Sequence, residues 1–256
     1  MAVPATERAQ PLPYHLPVRY EFRFRWIPAL AAAAAMAIAL AAASWQLGRA
    51  HEKERLAATL ESRAAGPALR LTAAEAKAED LEWRKITATG RFIPAHTIFV
   101  DNRIRRGVPG FHVVMPLDLG KSADGASRHV LVNRGWIAGL PDRARLPEVA
   151  TPEATVEISG LAVLPSRRFL ELSDNVAQGK VWQNLTLERY RAAFPIAVQP
   201  VVLQQESPLD DGLVREWDPP DLGINKHYGY VFQWLALAVT VLVFYLVTHV
   251  RRRPAA

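Results

Sequence analysis

His227 is the residue of this chain best equipped to hold a ligand. It sits in Asn225-Lys-His-Tyr-Gly-Tyr-Val-Phe-Gln-Trp234, and from Tyr230 to Val250 the only titratable nitrogen is that of His249. Seven residues make nearly two helical turns, so a helix here puts residues 227, 230, 231 and 234 on one face. That face carries His227, Tyr230, Val231 and Trp234, an imidazole over an apolar, aromatic wall. A neutral imidazole is a good axial ligand for haem iron, and an apolar wall suits a porphyrin. The same residues also read as a histidine lying at a membrane surface, where amphipathic rings gather.

A second constellation is a pair of echoes. Thr97-Ile-Phe-Val-Asp-Asn102-Arg103 and His129-Val-Leu-Val-Asn133-Arg134 are both strand-like runs ending in Asn-Arg, and a glycine follows each. Two such ends side by side on one rim would present two arginine forks, whose geometry matches carboxylates. The alternative is turn chemistry with a structural ion pair, for example to Asp101. Arg105 and Arg106 read as a solvated face, and Trp136, Trp182 and Trp217 as packing residues.

Much other chemistry is excluded. With no cysteine there is no disulfide, thiolate metal site or cysteine nucleophile, and with only Met1, Met36 and Met115 a copper carrier is not expected. No Gly-x-Ser-x-Gly elbow, P-loop or Gly-x-Gly-x-x-Gly fingerprint occurs, and His51-Glu52 lacks the second histidine of a zinc motif because Arg55 stands there. No sequence spacing points to a catalytic constellation, which leaves open only one assembled in three dimensions. Its net charge of +6 is not a nucleic-acid signal: residues 48–227 are nearly balanced, with 24 basic and 23 acidic side chains, and the excess lies in the two tails.

Those tails flank the elements that must position His227. Trp26 to Leu47 is apolar and alanine-rich, with Pro28 in its first turn, and the stretch from Tyr228 to Val250 is long and apolar enough to cross a bilayer. Arg19, Arg23 and Arg25 before the first span and Arg251 to Arg253 after the second put both termini in the cytoplasm by the positive-inside rule. The long intervening segment is then exported. The alanine-rich face of the first span would let the second approach closely.

The order of parts is a cytoplasmic tail (1–25), a transmembrane helix (26–47), an extracytoplasmic domain (48–206), an acidic, proline-containing linker (207–227), a second transmembrane helix (228–250) and a basic tail (251–256). Within the domain, Arg49–Arg63 reads as a short helix ended by Gly66-Pro67, and Thr72-Ala-Ala-Glu75 as a capping box opening a helix through Leu81. Strands are expected at 84–92, 97–103, 111–119, 129–138, 155–164, 181–184 and 196–205, with a helix over 185–194. The fold class is α+β: two transmembrane helices flanking a mostly antiparallel sheet or small barrel with short edge helices.

Taken together, these stretches resemble the Surfeit-locus (Surf/Shy) family of cytochrome c oxidase assembly factors, bacterial type. The matching residues are Trp45-Gln-Leu-Gly-Arg49, Gly90-Arg-Phe92, Asn102-Arg103 with Gly107 and Pro109-Gly-Phe111, Pro116-Leu117, Leu131-Val-Asn-Arg-Gly-Trp-Ile137, Trp182-Gln-Asn184 and Asn225 to Trp234. The resemblance implies a multi-pass inner-membrane protein with a periplasmic domain, which helps place haem a in the catalytic subunit of an aa3-type oxidase and takes it from haem A synthase. It implies His227 as the iron ligand, and for the Asn-Arg pairs it implies motif membership only. From the chemistry of the residues themselves, Tyr230 and Trp234 would wall the macrocycle and Arg134 or Arg103 would meet the propionates. A cofactor-free scaffold that stabilises an oxidase intermediate, using the Asn-Arg rim, is the competing expectation. A membrane-tethered hydrolase is a third, without a nucleophile motif to support it.

Overall fold

A computed structural model describes residues 19–142, 145–165 and 177–253. The prolines of the N-terminal tail, Pro4 to Pro17, and the last three residues fall outside the described residues. In chain order the elements begin with β1 (Arg19–Phe22), α1 (Trp26–Ala65), β2 (Leu69–Leu71), α2 (Ala78–Leu81), β3 (Lys85–Phe92) and a single 3-10 turn at Pro94–His96. They continue with β4 (Ile98–Arg105), β5 (Val108–Lys121), β6 (Ser127–Ala138), β7 (Val156–Val163), β8 (Ala177–Gln178) and β9 (Val181–Trp182). Last come α3 (Leu187–Ala193), β10 (Ala197–Gln205), α4 (Ile224–His249) and β11 (Val250–Arg253). The chain forms two compact units, one from Met1–Arg55 with Asp221–Ala256 and the other from Leu56–Pro220.

The first unit is helical. Both α1 and α4 are long and apolar enough to cross a membrane. The expected span to Leu47 and the expected helix from Arg49 are one uninterrupted helix. Only Gly48 separates them, and one glycine in a helix interior costs about 1 kcal/mol, which alanine-rich flanks and the Arg49–Glu52 pair at i,i+3 offset. Ala39, Ala43 and Ala50 on α1 and Ala238 on α4 are buried, whereas Leu30, Ile38, Phe232, Val239, Phe244 and Val247 are exposed. Small residues at the seam permit close helix approach, and an exposed apolar band suits lipid. The arginine-aromatic stretch before α1 includes a strand: β1 pairs antiparallel with β11, Arg19 opposite Arg253 and Phe22 opposite Val250. The Phe22 ring meets Tyr245 edge-on at 6.1 Å.

The second unit is built on β strands. Their order is β2-β3-β7-β10-β6-β5-β4-β9-β8, and an additional β3–β5 pairing closes β3, β7, β10, β6 and β5 into a five-stranded barrel. Its pairs are antiparallel except β2–β3, β4–β9 and β10–β6. Alternation sorts the side chains: Ile86, Ala88, Met115, Leu117, Val130, Val132, Ile158 and Leu203 fill the interior. Ile98, Val100, Val114, Leu131, Tyr190 and Val202 form a second cluster on the outer face, under α3. Thr186 caps α3, accepting from the Arg189 N–H at 3.1 Å.

Closure explains one motif glycine. A Cβ on Gly90 would collide with the Asp118 carbonyl oxygen, where β3 and β5 come together. Gly90→Ala therefore forces the barrel open at its closing pair, and we expect a loss of roughly 1–3 kcal/mol by analogy with overpacking. A chemical-denaturation midpoint indistinguishable from wild type would show that the seam yields freely.

Two local expectations change. The capping box at Thr72 opens no helix; α2 starts only at Ala78. The buried Gln199 amide takes over that backbone instead, donating to Thr72 O and Ala74 O and accepting from Ala76 N–H. The segment after β10, expected to be a linker, belongs in part to the β unit. Asp211 and Leu213 are buried, and Val214 makes an antiparallel bridge to Trp136. Gly135, at φ +142°, admits this strap, since a Cβ there would lie 2.8 Å from the Val214 carbonyl oxygen.

Candidate functional site

His227 stands in the first turn of α4 and is half-buried. Its Nδ1 lies 2.7 Å from Gln46 Oε1 on α1. With the Gln46 amide oxygen as its partner, Nδ1 is the donor and Nε2 keeps its lone pair, the tautomer a metal ligand needs; a turned amide would pair with the other tautomer. The neighbouring Tyr228 hydroxyl donates to Glu54 at 2.7 Å. Val231 and Trp234 are half-buried along the same stripe that leads to buried Ala238, whereas Tyr230 is 50% exposed. Residues His227, Tyr230, Val231 and Trp234 thus share one face of α4, with Tyr230 at its open edge. Gln46 was not singled out as a site residue, although a polar side chain inside an apolar span is a signal of function.

The two Asn-Arg echoes do not meet on one rim. Strand β5 lies between β4 and β6, and neighbours along a strand face opposite sides. Arg134 points inward and is fully buried. Its Nη2 donates to Asp211 Oδ2 and Ala150 O, both at 2.8 Å, and its Nη1 to Thr151 Oγ1 at 2.7 Å. The guanidinium carbon sits 4.7 Å over the Phe92 ring. Asp211 Oδ2 also accepts from Arg215 Nη2 at 2.5 Å. Placed in this way, Arg134 ties the strap to the barrel and offers nothing to a propionate. Asp211, read from sequence as one of the linker's solvated acids, is its partner.

Asn133 and Arg103 take the other face. Asn102, at φ +58°, forms the bulge that shifts the β4–β5 register between Val100 and Arg103. The Arg103 carbonyl accepts from Trp136 Nε1 at 2.6 Å. Asn133 Nδ2 lies 3.3 Å from His112 Nδ1, and the Trp217 ring stands edge-on to His112 at 5.5 Å. Burial, and then the Arg103 charge, push the His112 imidazole down to about 4, against the opposing charge of Asp218. Its ring signals should therefore stay fixed in an NMR titration from pH 8 to about 5, where an ordinary histidine of pKa about 6.5 would titrate. Movement centred near pH 6.5 would contradict this environment. His112 was also missed from sequence, where no spacing ties it to Arg103.

The model of the SURF1 family matches residues 33–239 of this chain. The chain belongs to the SURF1 family. A SURF1-like protein of Rickettsia felis is 25% identical over 209 residues, 79% of this chain and 88% of that protein. One of Rickettsia bellii is 26% identical over 208 residues, 78% of this chain and 82% of that protein. The cytochrome oxidase assembly protein SHY1 of Saccharomyces cerevisiae is 26% identical over 176 residues, 65% of this chain but 44% of that larger protein. The SURF1 match runs from inside α1 into α4 and so includes Gln46, His227 and Trp234.

Proposed function

We propose that this chain is a cytochrome oxidase assembly factor that carries haem a as cargo, holding it through His227 at the end of its second membrane helix. The observation that carries the ligand role is the 2.7 Å contact of His227 Nδ1 with Gln46, which leaves Nε2 free in the tautomer suited to iron. Trp234 and Val231 supply an apolar flank, and Tyr230, half-exposed, the open edge. Membership of the SURF1 family and the name of the yeast relative, a cytochrome oxidase assembly protein, support the assembly function. In this reading the chain lies in the inner membrane with both termini cytoplasmic and the barrel periplasmic, as the flanking arginines favour. Its partners are the oxidase catalytic subunit that receives the haem and haem A synthase that supplies it. One protein ligand with a replaceable second one suits a carrier, which must also release.

The cofactor-free scaffold drew its contact surface from two exposed Asn-Arg pairs, and the burial of Asn133 and Arg134 leaves only Asn102 and Arg103 for it. The deciding test is the optical spectrum of the full chain purified from cells that make haem a. A haem a band in wild type supports the carrier. No band, with oxidase assembly still dependent on the protein, overturns it.

A further inference from the structure

The Leu56–Pro220 unit contains a second built site that involves neither membrane helix. On the outer face of the barrel, a cavity of about 310 Å³ is lined by Arg103, His112 and Asn133 together with apolar side chains that include Val114, Val163 and Val202. A polar cleft of about 460 Å³ shares Arg103 and His112 with it. Pockets that bind small molecules have this form, an apolar body with a few convergent polar groups.

Three observations say what it would hold. First, the half-buried Arg103 guanidinium makes no hydrogen bond or ion pair among the described residues; burial lowers its pKa while the charge of Asp101 opposes that. Its neighbours Arg105 and Arg106, by contrast, both pair with Glu216. Second, Asn133 is 9% exposed, and its buried Oδ1 has no partner. Third, Asn133 and His112 are linked through Nδ2 and Nδ1. A turned amide with the other imidazole tautomer makes an equivalent link: His112 Nδ1–H then donates to Oδ1, and Nδ2 faces the cavity as a donor. An anionic oxygen between Arg103 and Asn133 would draw the pair into that state and leave no orphan. In the turned state the buried orphan acceptor is exchanged for a donor facing the cavity, and an acceptor ligand, whose charge Arg103 also favours, then leaves no orphan.

We infer that this cavity binds an amphipathic carboxylate, whose head group is clamped by Arg103 and Asn133 and whose apolar body lies on Val163, Leu164 and Leu185. A fork-shaped guanidinium favours a planar carboxylate, and the aliphatic floor favours a hydrocarbon or ring over a small anion. The inference does not rest on His227. A free fatty acid and a porphyrin propionate offer the same head chemistry.

The probe is octanoate carrying a 13C carboxyl, added to the full chain in phosphatidylcholine nanodiscs, with empty nanodiscs subtracted. Saturable binding with a shifted carboxyl resonance is expected, weakened at least tenfold in Arg103→Gln and several-fold in Asn133→Leu. Acetate should bind at least tenfold more weakly than octanoate. The His112 15N signals should report the tautomer exchange on binding. Both variants are compared with wild type for an unchanged melting temperature, so a folding defect is not mistaken for a binding one. Displacement of octanoate by iron-free protoporphyrin, which cannot ligate His227, marks a porphyrin as the source; absence of displacement marks a free fatty acid. Binding that is unchanged in Arg103→Gln, that matches empty nanodiscs, or that is equal for acetate overturns the inference. So does binding without a change at His112.

Discussion

Asp211→Ala should be the most damaging single substitution in the β unit, lowering its stability by roughly 3–5 kcal/mol. Among the described residues Asp211 is the anion that joins the fully buried Arg134 guanidinium to the half-buried one of Arg215, and its own side chain is completely buried. Removing it leaves two like charges facing each other with no counter-ion, a worse outcome than losing a surface pair, which is worth about 0–1 kcal/mol. For a unit of this size the loss corresponds to a fall of about 6–20 °C in melting temperature. The near-UV circular dichroism of the full chain in detergent reads it, because Trp136 bridges the strap through Val214 and Trp217 donates to Gln205 O at 3.0 Å. Replacing the pair together, as Arg134→Met with Asp211→Leu, should cost less than Asp211→Ala alone, since an apolar pair of similar volume leaves no stranded charge. A loss below about 1 kcal/mol in Asp211→Ala would refute the assignment of this ion pair as the strap's anchor, because it would be no larger than that of an exposed pair.

Haem a recovered with the purified chain should vanish in His227→Ala and fall about 10–100-fold in affinity in Gln46→Leu. The two losses differ for a physical reason. In the proposed reading His227 would supply the bond to iron, whereas Gln46 touches only Nδ1 and would act by fixing the ring's tautomer and orientation. Gln46→Leu keeps the volume and removes the acceptor, which frees the imidazole to turn and to protonate at Nε2. Gln46→Glu keeps an acceptor and makes it anionic, so it should retain haem and raise the basicity of Nε2, with a shifted band as its signature. The optical spectra of the four proteins, measured at equal protein concentration, decide the order. If His227→Ala kept a full band, iron would be held elsewhere. If Gln46→Leu matched wild type while His227→Ala lost its band, the Gln46 contact would be incidental to ligation.

Period and punctuation made most of the architecture legible. Two apolar stretches bounded by arginines fix two membrane-competent helices, because their composition leaves few other solutions. Alternating Val, Ile and Thr runs between glycines and prolines fix the seven main strands within a few residues of where they lie, and Arg106-Gly107 fixes the tight β4–β5 hairpin. The helical face that carries His227 was legible too, since its spacing to Val231 and Trp234 is local, and local spacing survives folding unchanged. Tertiary structure alone decided what those residues meet. Gln46 and His227 are 181 positions apart, Arg134 and Asp211 are 77 apart, and no periodicity records such distances. The Asn-Arg echo shows the same limit from the other side. Two identical dipeptides acquired opposite fates because strand order put β5 between them, and alternation sent Arg134 into the core while Asn133 turned to the outer face beside Arg103. Capping chemistry at Thr72 lost to a buried amide, Gln199, that arrives only when the barrel closes. Local sequence thus set the elements and the His227 face of the second long helix, and burial then decided which polar groups stay accessible.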